Sequence, residues 1–224
     1  MSVAIIIPIL NEAENLLALK QNLAQLEPTA DEVILMDGGS TDDTVVQAQA
    51  LGFTVFQAPR GRASQMNAGA QATTADLLLF LHADTRLPAD AVQQVQQTQT
   101  VKHWGYFAVR IDDTRPIFRV ISQMINLRSR FTAIATGDQA IFVPRVLFEH
   151  VGGYKNIPLM EDIELCRKLY LFSKPLCLRQ HVMTSARRWQ QYGIGRTILL
   201  MWRLRFLHWC GVPASKLVKD YRYD

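Results

Sequence analysis

The chain has 224 residues, of which 49% are hydrophobic and 20% are charged, and its formal net charge is +4. This length and composition suit one α/β domain with a carboxyl-terminal extension, and they exclude a disordered chain. The mildly basic charge fits anionic small molecules or an anionic surface, and we expect no nucleic-acid partner.

Apolar runs alternate with segments of helical periodicity up to about Leu87. The apolar runs predict four strands: Val3 to Ile9, Glu32 to Asp37, Thr54 to Gln57 and Leu77 to His82. The segments between them predict three helices: Glu12 to Leu26, Asp42 to Leu51 and Arg62 to Thr73. This alternation predicts a mostly parallel sheet with right-handed crossovers, flanked by helices.

The order of elements is less regular after Leu87. The pattern predicts a helix from Pro88 to about Gln99, a strand from Gly105 to Ile111, a helix near Ile117 to Arg130, and an acidic helix start at Glu161. From Trp189 onward the chain is mainly helical. We therefore expect an α/β domain over residues 1–189 and a helical extension over residues 190–224.

The cysteine pattern favours a reducing compartment. The three cysteines are widely spaced: Cys166, Cys177 and Cys210. They are too few and too distant for a disulfide framework or a thiolate metal cage. Because the amino terminus also carries no signal-peptide pattern, we expect a cytoplasmic protein.

Acidic side chains follow three of the four predicted strands. Glu12, Asp37 and Asp84 come after the first, second and fourth strands, where ligands bind in open α/β sheets. One carboxylate together with substrate phosphates is a common way to hold Mg²⁺, so Asp84 is the metal candidate. An Asx turn before Pro88 is the structural alternative for Asp84, and His82 fits a packed strand-end histidine as well as a ligand.

Other polar residues near the strand ends have structural explanations too. Asn11 with Glu14, and Ser40 with Asp43, have the spacing of helix-capping pairs, which we favour for them. Arg62 begins a helix and suits phosphate, although a solvated surface arginine fits the spacing equally well. The sequence contains no Walker loop, dinucleotide glycine fingerprint or His-Glu-x-x-His motif, so these mechanisms are not supported.

Taken together, the motifs resemble the glycosyltransferase family 2 domain, a Rossmann-like nucleotide-sugar fold called GT-A. The resemblance covers roughly Ser2 to Trp189. The motifs are Pro8-Ile9-Leu10-Asn11-Glu12, Asp37-Gly38-Gly39-Ser40-Thr41-Asp42, Gly61 to Gly69, His82-Ala83-Asp84, Gly152-Gly153-Tyr154 and Glu161-Asp162. The chain looks like a compact bacterial subgroup with His-Ala-Asp in place of Asp-x-Asp.

The resemblance implies a role for each matching residue. The donor nucleotide would contact Pro8, Glu12, Asp37, Arg62, His82 and Ala83. Asp84 would bind a divalent metal, Mg²⁺ or Mn²⁺, that bridges the diphosphate, although His82 departs from the family's usual Asp at the first motif position. Asp162 would be the catalytic base.

Two further segments are assigned to the diphosphate and the acceptor. Arg187-Arg188-Trp189 resembles the Arg-Trp element of processive members, so one of these arginines would contact the pyrophosphate. Acceptor contacts would come from Asp138, Glu161 and Trp189. A turn is an equally good explanation for Asp138, and acids at a helix start have a structural explanation as well.

These roles imply a metal-dependent, inverting glycosyltransferase that moves a sugar from a nucleoside diphosphate sugar to an acceptor hydroxyl. The acceptor would be a sugar, a lipid-linked compound or a small molecule. A catalytically silent nucleotide-sugar or glycan-lipid binding module is the first alternative. A sugar-phosphate nucleotidyltransferase is the second, but the amino terminus lacks its Gly-rich loop and Lys.

The carboxyl-terminal helix adds a question of partners. It carries aromatic and basic residues at helical spacing: Trp202, Arg203, Arg205, Phe206 and Trp209. These predict either a peripheral contact with the inner face of the membrane or packing on the domain or in a homodimer. The segment is too short and too charged for a simple transmembrane helix.

Overall fold

The computed structural model describes residues 1–98 and 103–221. Eight strands of the described part form one sheet: β1 (Val3–Ile9), β2 (Glu32–Asp37), β3 (Thr54–Gln57), β4 (Leu77–Phe80), β5 (Thr85–Arg86), β6 (Gly105–Asp112), β7 (Phe142–Pro144) and β8 (Leu176–Ser185). The α-helices are α1 (Leu16–Leu23), α2 (Thr44–Ala50), α3 (Arg62–Gln71), α4 (Ala91–Gln97), α5 (Pro116–Thr132), α6 (Arg145–His150), α7 (Glu161–Tyr170), α8 (Arg187–Tyr192), α9 (Ile194–Trp209) and α10 (Ala214–Tyr221). Gln99, the expected end of the fourth helix, and the last three residues of the extension lie outside the described residues.

The structure confirms the α/β class and the helical carboxyl-terminal segment. The first three strands have the predicted bounds, whereas β4 ends at Phe80, two residues before the predicted end. The sheet is mixed, with the strand order β3-β2-β1-β4-β7-β6-β8-β5. Strands β5 and β7 run antiparallel to their neighbours, which the periodicity did not predict.

Two hydrophobic cores cover the two faces of the sheet. Alternate residues of β1 enter opposite cores, so that Ile5 and Ile7 pack on one face and Ile6 packs on the other. Helices α1 and α4 cover the first face, and α3 and α7 cover the second. Each fully buried isoleucine contributes roughly 1.5–3 kcal/mol, and all seven residues of β1 are buried.

Helix α3 fixes the ends of β1 and β2. A Cβ added at Gly69 would lie 2.4 Å from the Ile6 side chain, so the glycine allows the helix to approach the sheet closely. One turn earlier, the buried Gln65 amide donates hydrogen bonds to the carbonyls of Ile9 (2.8 Å) and Met36 (2.6 Å). These contacts hold the loops that follow β1 and β2 in fixed positions.

The direction of β7 determines which loops meet. Because β7 is antiparallel to β4, it begins at the edge where β1, β2 and β4 end. The 3-10 turn Gly137–Gln139 therefore lies at that edge. Strand β8 runs parallel to β6 and ends at Ser185 at the same edge, which brings Arg187 there as well.

The carboxyl-terminal helices pack onto the domain. Leu200 and Leu204 of α9 share a small core with Leu159, Met160 and Ile163 at the start of α7. In the described part of the chain, no helix has the length and apolar character needed to cross a bilayer.

Candidate functional site

The loops after β1 and β2 are joined by hydrogen bonds. Asn11 Oδ1 accepts the Thr41 N–H at 2.8 Å, and Ser40 Oγ accepts the Asn11 N–H at 3.0 Å. The helix-capping prediction was therefore wrong for Asn11 and Ser40. Asp43 does precede α2, but its side chain makes no capping hydrogen bond.

Asp37 is buried at the centre of this loop pair, with an exposed fraction of 1%. Its Oδ2 accepts the Gly39 N–H at 3.0 Å, and its Oδ1 accepts the Ser40 hydroxyl at 2.5 Å. Gly39 has φ +89°, a backbone conformation that residues other than glycine rarely adopt. The carboxylate thus shapes the turn at the sheet edge, and any nucleoside contact would be made from this fixed position.

A cleft of about 240 Å³ opens beside the turn that follows β4. Its lining includes Ala83, Asp84 and Arg187. Glu12 Oε2 lies 3.6 Å from Arg187 Nη2 and also accepts a hydrogen bond from Asn15. Burial raises the pKa of Glu12, and the Asn15 hydrogen bond and the Arg187 charge reduce this rise without cancelling it.

Asp84 is the cleft residue suited to a cation. It is half-buried, and the contact from Thr85 Oγ1 is long, at 3.4 Å, so its carboxylate oxygens keep most of their acceptor capacity. Within residues 1–98 and 103–221, no three His, Cys, Asp or Glu residues form a ready metal cluster. A single carboxylate fits Mg²⁺ or Mn²⁺ when phosphate oxygens and water complete the coordination.

His82 packs against the turn before β7. Its Nδ1 lies 3.2 Å from Asp138 Oδ1, and its Nε2 would lie 2.2 Å from a Cβ added at Gly137. Burial lowers the pKa of His82, but the hydrogen bond to Asp138 and the surrounding negative charge raise it overall. The contact with His82 therefore fixes the position of Asp138, a pairing that sequence reasoning missed.

Asp162 lies at the start of α7 beside a second, small pocket that His82 and Gly137 also line. Its Oδ2 accepts the Gly137 N–H at 3.2 Å, and its Oδ1 accepts the Ile163 N–H at 2.7 Å. Burial, followed by the negative charge of Glu161, raises the pKa of Asp162 to about 6. Such a carboxyl exchanges a proton close to neutral pH.

Glu161 has a partner at the start of α3. Its Oε1 lies 3.8 Å from Arg62 Nη1, and Glu161 is almost fully buried. Burial disfavours the Arg62 cation, but Tyr221, Glu161 and Asp138 hold the pKa of Arg62 above its ordinary value. Arg62 is therefore a fixed positive charge among the candidate donor residues.

Arg187 and Arg188 point to different surroundings. Whereas Arg187 lines the cleft, the Arg188 guanidinium lies 3.8 Å from the centre of the Tyr221 ring and donates to the Tyr221 carbonyl at 3.0 Å. The ring of Trp189 meets Phe118 edge-on, with centroids 6.4 Å apart. Trp189 therefore packs on α5, and its acceptor contact stays a prediction. Of Arg187 and Arg188, it is Arg187 that lines the cleft with Asp84.

The turn formed by His82, Ala83 and Asp84 separates the two pockets. Asp84 and Arg187 line the first pocket, with Glu12 beside Arg187, and Asp162 and Gly137 line the second. Pro8 is buried at the end of β1, next to this edge. The arrangement offers cationic and carboxylate groups for an anionic ligand on one side, and a proton acceptor on the other.

Comparison with known families decides the class. The family described as "Glycosyl transferase family 2" matches residues 4–142. The chain belongs to this family. It is a glycosyltransferase, which sets aside the silent binding module and the nucleotidyltransferase.

Named relatives agree with this assignment. A PGL/p-HBAD biosynthesis glycosyltransferase of Mycobacterium tuberculosis is 28% identical over 211 residues, covering 85% of this chain and 77% of the relative. Staphylococcus aureus TarS 1–349 in complex with UDP superposes with a TM-score of 0.66 at 16% identity, over 83% of this chain and 60% of that chain. This chain thus spans less than two thirds of the TarS fragment.

Two other solved structures have the same fold. The mannosyltransferase PcManGT from Pyrobaculum calidifontis, with GDP-Man and Mn²⁺, gives a TM-score of 0.67 at 18% identity, over 91% of this chain and 60% of that chain. Glucosyl-3-phosphoglycerate synthase from M. tuberculosis, in complex with Mn²⁺, UDP and glucosyl-3-phosphoglycerate, gives a TM-score of 0.62 at 18% identity. The superposition covers 96% of this chain and 81% of that chain. At these identities the likeness establishes the fold.

Proposed function

We propose that the enzyme transfers a sugar from a nucleoside diphosphate sugar to an acceptor hydroxyl, with inversion at the anomeric carbon and with a divalent cation. The proposal rests mainly on Asp162, which lines a pocket and whose pKa is raised to about 6 by burial and by the charge of Glu161. A general base works best when its pKa lies near the working pH. Family membership supplies the reaction class.

The donor would occupy the cleft side of the turn. Pro8, Glu12 and Asp37 would contact the nucleoside, and Arg62 and Arg187 would stabilise the diphosphate electrostatically. Mg²⁺ or Mn²⁺ held by Asp84 would supply further positive charge to the leaving diphosphate. The Mn²⁺ in two solved structures of the same fold supports the choice of ion.

The acceptor would occupy the Asp162 side. Its hydroxyl oxygen attacks the anomeric carbon while the bond to the diphosphate oxygen breaks, and Asp162 takes the hydroxyl proton. The N–H groups of Gly137 and Ile163 orient the carboxylate for this transfer. Asp138 and Glu161 border the same side and would contact the acceptor. A single displacement of this kind inverts the anomeric carbon.

Donor binding is tested by thermal unfolding of the purified protein. UDP, GDP, dTDP and their sugars are added with and without Mn²⁺ or Mg²⁺, to the wild type and to Asp84→Ala. We expect one base to stabilise the wild type by about 5–10 °C at saturating ligand, and the cation-dependent part to be lost in Asp84→Ala. Glu149→Gln, which removes an exposed carboxylate of α6, is the matched control. A wild type that no nucleotide stabilises would contradict the proposal.

The role of Asp162 is tested next with the donor that this screen identifies. Asp162→Asn should bind the donor as the wild type does and lose transfer by at least about 100-fold. Product stereochemistry, read by NMR of the anomeric proton, tests inversion. Full activity in Asp162→Asn, or retention of configuration, would refute this assignment.

A further inference from the structure

Helix α5 has an unusual outer face. Phe118 and Ile121 pack inward, yet the opposite face is also apolar along the whole helix. Its exposed side chains recur at intervals of three and four residues: Ile117, Val120, Met124, Leu127 and Phe131. The most exposed side chain of this stripe is that of Phe131, at 81%. A surface helix normally places polar residues on this face.

Helix α9 repeats the pattern. Leu200 and Leu204 pack on the domain, whereas the outer face is again apolar. Its exposed side chains are Leu199, Trp202, Phe206 and Trp209. The two tryptophans are more than 60% exposed, and tryptophan side chains with polar tips are typical of the membrane–water interface.

The two helices are neighbours. Ile194 and Ile198 of α9 pack against the cluster that contains Phe118 and Ile121 of α5. The two exposed apolar stripes thus lie on helices that share this cluster, and together we call them the α5–α9 surface. It comprises the nine exposed apolar residues of the two stripes.

The charge of these helices identifies the partner. Each helix carries three arginines, and neither contains an Asp, a Glu or a Lys: the six are Arg119, Arg128, Arg130, Arg196, Arg203 and Arg205. Four of them are exposed: Arg119, Arg130, Arg196 and Arg203. Arg128 is half-buried and lies near Asp162 and Cys166, inside the domain. Arg203 pairs with Asp220 of α10 at 3.0 Å. Apolar stripes on arginine-rich helices match a surface with a hydrocarbon interior and anionic head groups.

A second copy of the chain fits this surface poorly. A two-fold symmetric dimer would place the arginine-rich helices against the same helices of the partner. Like charges opposed in this way cost association energy. Anionic lipid neutralises the same charges.

We propose that the α5–α9 surface docks the enzyme on a bilayer that contains anionic lipid. The surface lies close to the candidate site, because Phe131 precedes Gly137 by six residues and α9 packs on Met160 and Ile163 beside Asp162. If the proposed function holds, the acceptor is therefore a lipid-linked compound whose hydroxyl group is presented at the membrane. The docking itself requires no catalytic residue.

Binding is measured by flotation of the full chain with vesicles of phosphatidylcholine alone and with added phosphatidylglycerol. We expect binding to the anionic vesicles, and we expect it to weaken as salt rises. Trp202→Gln with Phe206→Gln on α9, and Met124→Gln with Phe131→Gln on α5, should each weaken it by at least about tenfold. Leu171→Gln, which removes another highly exposed apolar side chain, should bind as the wild type does.

The outcomes separate docking from donor chemistry. Asp84→Ala should bind vesicles as the wild type does, because docking does not use the donor site. Vesicle binding therefore tests docking even if no nucleotide stabilises the protein. No binding of the wild type to anionic vesicles would overturn the proposal. Equal binding by the double variants would do so as well. A dimer in solution that the α5 and α9 substitutions dissociate, in a protein without vesicle affinity, would assign the surface to a second copy instead.

Discussion

Replacing Asp162 by Asn should stabilise the fold at neutral pH while it abolishes transfer. The folded protein raises the pKa of this carboxyl from 3.8 to about 6, chiefly by burial. A group that binds its proton more tightly when folded makes the folded state less stable as the pH rises through the interval between the two values. The cost is therefore absent below about pH 4 and complete above about pH 6.

The size of the effect follows from the same shift. A rise from 3.8 to about 6 corresponds to at most roughly 3 kcal/mol of lost stability at neutral pH. The Asn side chain can accept only one of the two hydrogen bonds that Gly137 and Ile163 donate, which costs about 1 kcal/mol. The net gain is about 1–2 kcal/mol, or about 2–8 °C in Tm for a chain of this length.

The assay is thermal unfolding of the wild type and Asp162→Asn near pH 5 and near pH 8. The gain should be larger near pH 8, where the wild-type carboxylate is charged. Asp43→Asn, which removes a carboxylate with no capping hydrogen bond, is the matched control for the substitution itself. The reasoning is refuted if Asp162→Asn is less stable than the wild type near pH 8, or if its gain is equal at both pH values.

Three other substitutions test the packing and charge of the site. Gly137→Ala should destabilise the fold by about 1–3 kcal/mol in urea titration, because its Cβ would lie 2.2 Å from His82 Nε2; unchanged stability would contradict this contact. Gly69→Ala should cost about 2–3 kcal/mol for a similar clash with a buried isoleucine of β1, and an unchanged urea midpoint would argue against it. Arg187→Ala should weaken binding of the nucleoside diphosphate about tenfold by calorimetry and leave binding of the nucleoside unchanged. Equal losses for both ligands would count against a diphosphate contact.

The parts of the fold that the sequence predicted are those with continuous apolar runs. Strands β1, β2 and β3 have the predicted bounds, because β-branched and aliphatic residues fill each strand between clear turn signals. Strand β8 was missed. Its middle is polar and exposed, with Arg179, Gln180 and His181 in succession, so it carries no apolar run. Its ten residues are held by pairing with β6, which is a tertiary contact.

The missed strands explain what could not be predicted of the candidate site. Asp138 reaches His82 only because β7 runs antiparallel to β4 and starts at the sheet edge. Arg187 lines the same cleft as Asp84 because β8 ends at that edge. Residue spacing shows neither the direction of β7 nor the edge at which β8 ends. The residue types did indicate which side chains could bind a ligand.

Asn11 and Ser40 show a different limit. Their side chains suit helix capping and loop bridging equally well, since both use the same oxygen acceptors. The structure chooses bridging, because the adjacent ends of β1 and β2 bring the two loops within hydrogen-bonding distance. The choice depends on strand pairing, which residue spacing alone cannot show.

The strained backbone of the chain coincides with the candidate site. Among the four described residues other than glycine with positive φ, Asn11 directly precedes Glu12, Ala140 directly follows the Gly137–Gln139 turn, and Met160 directly precedes α7. Each such residue costs about 1 kcal/mol or more and persists only where its surroundings hold it. A fold optimised for stability alone would place glycine at these positions. The strain therefore accompanies the segments that carry the candidate site residues Glu12, Asp138 and Asp162, as expected if the proposed binding and catalysis constrain the backbone there.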